Sequence, residues 1–547
     1  MKKIRFTLLM ITTTVLSLSL FTLSSCDETK DPTYAEPTIS ADIKSATPGA
    51  VEILVAVTAP AGLKTVEVGD DSKSYTSDQT SDIYTYTYTG TASSLTFLVT
   101  DVKDRQAETT VALEPFEIVS ADITTNTSWS KDTKYLLKGN IFVNNNAELT
   151  IEAGTIIYGD KVSKGALIIE RGSKIIAEGT ATSPIVFTSS APAGFRNYGD
   201  WGGLIILGKA TNNQGENVNI EGITAGTKGQ YGGTADDDNS GTLAYVRVEF
   251  AGIALSTDNE INGMTFGSVG SGTTMHHVQV SYSGDDAYEF FGGKVSPHHM
   301  IAYKTWDDDF DTDFGFSGKV QFAAAFRDPN VADKSGSNLF ESDNDGSGST
   351  NQPYTSAIFA NVTAFGPFVF ANLSGGALSN GAVSANYQNG AHVRRHSKLQ
   401  IWNSVIVGAG TSANWPFRLT DSKGGADAAA VFKGNYVGRS VSASVTAPAT
   451  GTNDNGYNVD NFGTDNIIES PLNKVDLSTL FAGLSGAANI DNPAATAVLA
   501  NGSALATGAT DLSGEGFTQT DYIGAVGTTA GWLDEAWVNF NPQGTDY

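Results

Sequence analysis

The sequence predicts an all-β protein, a small β-sandwich followed by a long parallel β-solenoid. Three observations predict it. Glycine supplies 59 of the 547 residues, Thr, Ser, Asn and Asp are frequent, and few stretches have helical period. Residues 37–116 carry short runs of alternating apolar and polar residues. From 117 onward, related segments recur at intervals of roughly 18–25 residues, the mark of a repeat architecture.

The first residues are not expected in the fold. Lys2, Lys3 and Arg5 form a positive start, Phe6 to Phe21 carries no charge, and "LSSC" ends at Cys26. Residues 1–25 therefore read as a secretory signal, removed on export. An aliphatic residue and two small residues before a cysteine resemble a bacterial lipobox, which implies cleavage before Cys26 and its acylation. Cys26 is the only cysteine, so it has no disulfide partner within the chain. The expected location is the outer membrane, lipid-anchored. The following "DETKDP" is similar to the surface-export signal of Bacteroidetes lipoproteins, which implies the cell surface. Residues 26–36 read as a linker.

Residues 37–116 contain "VEILVAVTA" (51–59), "YTYTYTG" (84–90) and "LTFLVTD" (95–101), separated by turns such as "VGDDSK". Short strands at this spacing suggest an immunoglobulin-like sandwich. The solenoid is expected over 117–547. "LTIEAGTII" (149–157) is echoed by "LIIERGSKII" (167–176) at a period of 18, taken as one coil. "HHVQVSYSGDDAYEFFGGKV" (276–295) is echoed by "HHMIAYKTWDDDFDTDFGFSGKV" (298–320) at an offset of 22. That offset matches His276 to His298, Asp285 to Asp307, Asp286 to Asp308 and Glu289 to Asp311. "YVRVEFAG" (245–252) is a further partial copy, aligned with "HVQVSYSG" (277–284). Coils of this kind hide apolar side chains inside and place insertions such as 211–241 and 328–350 outside. Trp532 and Trp537 are expected to cap the last coil.

With the lipobox, the segments "GDWGGLIILGKA", "SGDDAYEFFGG", "WDDDFDTDFGFSGKVQFA" and "HVRRHSKLQIWNSVIVG" resemble a family of Bacteroidetes surface lipoproteins. The resemblance covers roughly 120–547. It implies a right-handed parallel β-helix of the pectin-lyase-like superfamily and a place beside TonB-dependent nutrient-uptake systems. It implies no particular reaction.

The chain carries 59 acidic against 33 basic residues, net −26. Such a surface repels nucleic acid and anionic lipid. A polyanionic glycan could approach only with a cation bridging. The acidic residues concentrate in "WDDDFDTDFG", 306–315, where Asp307, Asp309, Asp311 and Asp313 alternate. On a strand they would share one face about 7 Å apart, with each neighbouring pair repelling by roughly 2 kcal/mol. The offset of 22 stacks Asp285 and Asp286 about 4.8 Å from Asp307 and Asp308. So many hard oxygens suit Ca²⁺. A second metal candidate is Glu341, Asp343 and Asp345 in "ESDNDGSG", although the final position of a calcium loop falls on Gln352 rather than Glu.

Strand alternation is expected to turn one histidine of each pair, 276–277 and 298–299, inward. His276 and His298 are candidate ligands, with a plain stacking ladder as the alternative. "SGDD" resembles a piece of the polygalacturonase-type hydrolases, which makes Asp285, Asp286, Asp308 and Glu289 candidate catalytic carboxylates. The accompanying "NxD", "GHG" and "RxK" pieces are absent. Trp306 could stack on a sugar ring. Arg394 and Arg395 are candidate bases of a lyase, but no spacing places them beside the aspartates, and salt bridges are their simpler role. The function expected is non-catalytic binding of a glycan or other nutrient. The alternatives are a polysaccharide lyase or glycoside hydrolase, and a structural or adhesive protein stiffened by Ca²⁺.

Overall fold

The computed structural model describes residues 34–547, apart from 48–49, 77, 91, 93, 114–115, 224, 257–258, 372–382, 410–415, 420–422, 426–430, 440–445, 448–464, 470–473 and 485–487. The signal segment, Cys26 and the linker up to residue 33 lie outside the described residues. Two compact units are present. Leu54–Tyr84 and Leu95–Val111 belong to the smaller, and Ala112–Tyr547 make up most of the larger.

Among the N-terminal strands, Thr38–Thr47, Ala50–Thr58 and Ser81–Tyr88 form a three-stranded sheet. Asp71–Ser74, Leu63–Val68, Ser94–Asp101 and Gln106–Ala112 form a four-stranded one, antiparallel where its register is defined. Alternation is strict in Ala50–Thr58, where Val51, Ile53, Val55 and Val57 are buried. The two sheets fit a small sandwich.

The larger unit is a parallel β-helix. Among the described residues, one sheet has ten strands, running from Asn140–Val143 through Tyr288–Gly293, Phe310–Asp313, Phe340–Ser342 and Ala391–Val393 to Thr446–Ala447. The other has seventeen, including the long strands Gly241–Glu249, Thr274–Ser281, His298–Tyr303, Lys319–Phe326 and Ile358–Phe365. Period-two patterning decides which residues enter the core. In Phe310–Asp313, Phe310 and Thr312 are buried, and the outward places go to Asp311 and Asp313. Inside, like rings stack from coil to coil. Tyr288, Phe310 and Phe340 follow one another at 5.7 and 5.4 Å, and Phe266, Phe290 and Phe316 at 4.8 and 4.5 Å.

The 22-residue offset is a true coil: His276 lies opposite His298 and Glu289 opposite Asp311. The 18-residue echo is not. Leu149 belongs to the seventeen-stranded sheet, opposite Ile175, and Leu167 to the ten-stranded sheet, opposite Ile141. Each of those steps is 26 residues. Gly154 and Gly172 both have φ +91, so the echo repeats one turn at two different corners of the coil.

Trp532 and Trp537 do not cap the last coil. Residues 503–547 run back along the outside of the seventeen-stranded sheet. Thr510 meets Asn403, Thr518 meets Gln321, Asn539 meets Gln279, and the Tyr547 hydroxyl donates to Glu249 at 2.6 Å. Trp532 and Trp537 are buried in that layer. A sheet with an apolar outer face needs a cover along its whole length, and this strap supplies it.

Candidate functional site

The site lies on the outer face of the ten-stranded sheet, where parallel register stacks residues at 289, 311, 341 and 392. Glu289 faces Asp311, Asp311 faces Glu341, and Glu341 faces His392. The turns entering these strands carry a second column. Asn262 Oδ1 accepts from the Asp286 amide at 3.2 Å, and Asp286 Oδ1 accepts from the Asp308 amide at 2.7 Å. Asp308 accepts from the Asn338 amide, and Asn338 Oδ1 from the Asn389 amide at 3.1 Å. This is an asparagine ladder in which two successive rungs are aspartates.

Both columns open into a cavity of ≈ 570 Å³. Its wall carries Asp285, Asp286 and Glu289 from one coil, Asp307, Asp308 and Asp311 from the next, and Glu341, His392 and Arg394 from the following ones. Glu221, Asp333 and Lys334 join from loops and Glu260 from the short hairpin strand Asn259–Ile261. Ligand atoms of Asp285, Asp286 and Asp307 lie within 4.8 Å of one another, as do those of Asp286, Glu289 and Asp311. Two oxygens bound to one Ca²⁺ at about 2.4 Å can stand up to about 4.8 Å apart, so either set can touch a single ion. Oδ1 of Asp307 and Oδ1 of Asp311 are buried with no hydrogen-bond partner among the described residues.

Burial, then mutual repulsion, raises these carboxyls. Asp285, Asp286, Glu289 and Asp308 stand well above the usual carboxylate range. Asp307 is pushed to about 6 by burial and then Asp333, and Asp311 to about 7 by burial and then Asp343. Glu341 rises to about 8 through burial, although Arg394 beside it acts the other way. Without a cation this pocket favours protons.

The four alternating aspartates do not share a strand face. The strand begins only at Phe310, and 306–309 form a turn. Asp307 and Asp311 reach the pocket. Asp309 is fully buried elsewhere, 3.4 Å from the equally buried Arg327. Asp313 points outward and accepts from the Phe314 amide at 2.6 Å, away from the pocket lining. The second metal candidate also divides. Glu341 belongs to the pocket. Asp343 is paired with Arg394 at 2.8 Å and with Arg395 at 2.5 Å. Asp345 accepts from the hydroxyls and then the amides of Ser347 and Ser349 in its own turn, which hold its carboxyl low against burial.

Arg394 lines the acidic cavity, a placement no spacing in the sequence gives, and it makes the salt bridges expected of it, to Glu341 and Asp343. Arg395 stays outside the lining. Trp306 is half-exposed, donates to Asp333 at 3.1 Å, and meets Tyr198 edge-on at 5.4 Å.

The histidines depart from simple alternation. His277 and His299 adopt φ +54 and +58, a left-handed step in mid-strand that turns their rings to the same side as His276 and His298. His276 stacks on His298 at 5.1 Å and His277 on His299 at 4.4 Å. Burial, then the neighbouring rings, lowers His277 to about 4 and His299 to about 3.

Fold and site together define a parallel β-helix with a carboxylate-lined cavity on one sheet. Residues 121–408, more than half of the chain, match the model of the pectate-lyase-like beta helix domain. The chain belongs to that family. No curated protein matches it.

Proposed function

We propose that this chain is a lipid-anchored outer-membrane protein that holds Ca²⁺ in the acidic cavity and, through the ion, binds a glycan at the cell surface without cleaving it. Its partner in that setting is a TonB-dependent transporter. The observation that carries the proposal is the crowding of Asp285, Asp286, Glu289, Asp307 and Asp311, whose ligand atoms fall into two sets sharing Asp286. Ca²⁺ takes 6–8 oxygens. Sugar hydroxyls or carboxylates could complete a shell that the protein leaves open. Cleavage by elimination would need a base ready to take a proton. Arg394 is held far on the protonated side by Glu341 and Asp343, despite its burial. Arg327 is buried against Asp309. Cys26 and its lipobox support the anchor.

The test is calorimetric titration of Ca²⁺ into the purified body, followed by acidic and neutral glycans with the ion present. Asp286→Asn removes the shared ligand, while its amide oxygen can still accept from Asp308. Calcium affinity should fall by roughly tenfold or more, with the melting temperature of the metal-free protein not lowered. Absence of calcium binding at millimolar concentration would overturn the proposal. Release of unsaturated sugars or new reducing ends would overturn its non-catalytic part.

A further inference from the structure

We propose that His277, His298 and His299 bind a divalent transition-metal ion of the zinc class, at a site separate from the acidic cavity. Ligand nitrogens of the three rings lie within 4.8 Å of one another. Nδ1 of His298 is 2.6 Å from Nδ1 of His299, and Nδ1 of His276 is 2.9 Å from Nδ1 of His277. One Zn²⁺ with bonds of about 2.0 Å bridges nitrogens about 3.3 Å apart in tetrahedral geometry. Small rotations of the rings therefore close this set on an ion.

The backbone makes the convergence possible. Neighbouring strand residues normally face opposite ways, and a left-handed step at a non-glycine residue is disfavoured and brings the two rings to one side. The same left-handed step recurs at Tyr245, Phe322 and Asn361, so it belongs to this run of coils and not to the histidines alone. Only in two successive coils does it follow a histidine with a histidine, giving a block of four imidazoles. Trp537 meets His277 edge-on at 5.6 Å and Trp532 meets His299 at 5.0 Å, which fixes the inner rings. His298 is exposed, and with His299 it lines a second cavity of ≈ 440 Å³. An ion thus has a route in, and a fourth position is open to His276 or to water. An all-nitrogen set suits Zn²⁺, Ni²⁺ or Cu²⁺ and not Ca²⁺, so the two sites select different ions.

The experiment is titration of ZnCl₂ into the full chain in saturating Ca²⁺, which occupies oxygen-only sites. Zinc should bind, and His298→Ala, which removes an exposed ring, should weaken it by about 100-fold. His299→Gln should do the same, while Asp286→Asn should leave zinc binding unchanged. Melting curves of the metal-free variants distinguish a lost ligand from a lost fold. Absence of zinc binding by the parent chain, equal binding by a folded His298→Ala, or loss of zinc in Asp286→Asn would overturn the assignment. None of these outcomes alters the calcium titration.

Discussion

Stripping divalent ions from this protein should make its stability fall as pH rises from 5 to 8, and calcium should oppose the fall. Asp311 gives the scale. Its carboxyl stands at about 7, against an ordinary 3.8, because burial removes its charge from water and Asp343 lies beside it. A carboxyl raised in the fold keeps its proton there after the unfolded chain has released it. The stability that it lends is complete below about 3.8 and is lost as pH passes about 7. Of that span, the roughly two pH units between 5 and about 7 fall inside the tested range, and at about 1.4 kcal/mol each they give roughly 3 kcal/mol for this one group. Asp307 and Glu341, at about 6 and about 8, act in the same direction. The groups titrate together, so their contributions do not simply add. A bound Ca²⁺ favours the ionised form and cancels the loss. His277 and His299, at about 4 and about 3, change charge below this window. The assay is thermal unfolding of chelator-stripped, desalted protein at pH 5 and pH 8, with and without excess CaCl₂. A metal-free protein equally stable at both pH values would refute the reasoning, as would a calcium increment no larger at pH 8 than at pH 5.

Three further outcomes follow from the packing. Arg394→Gln leaves Glu341 and Asp343 short of their shared cation and should cost about 3–5 kcal/mol near pH 8, read from denaturant midpoints. Phe310→Ala opens the Tyr288–Phe310–Phe340 stack and should cost about 3–5 kcal/mol, visible in the same measurement. Trp537→Ala should cost a similar amount, about 3–5 kcal/mol. By loosening the strap it should also raise binding of an apolar dye to the seventeen-stranded sheet; unchanged dye binding would argue that the strap is held elsewhere.

Part of the site was legible because one coil has no insertion. Over 276–313 the chain advances 22 residues per turn, so Glu289–Asp311 and His276–His298 could be paired by counting. The next step is 30 residues, from Asp308 to Asn338, and counting fails there. Glu341 consequently looked like part of a separate calcium loop. Glu221, Glu260 and Asp333 arrive on insertions, and no periodic signal marked them. His392 and Arg394 lie a further 51 residues on, since the step from Asn338 to Asn389 has that length.

The sequence alone determined the all-β class, the solenoid, and the concentration of carboxylates on adjacent coils. Those properties follow from composition and from the two-residue period of a strand, which are local. Tertiary structure decided which carboxylates face one another. It sent Asp309 to Arg327 and Asp311 to the cavity, although the two are only two residues apart, because a turn ends between them and the strand begins at Phe310. It also turned His277 and His299 outward through left-handed backbone steps that no alternation rule contains. Facing is a property of coil length and backbone twist summed over whole turns, and each insertion resets that sum.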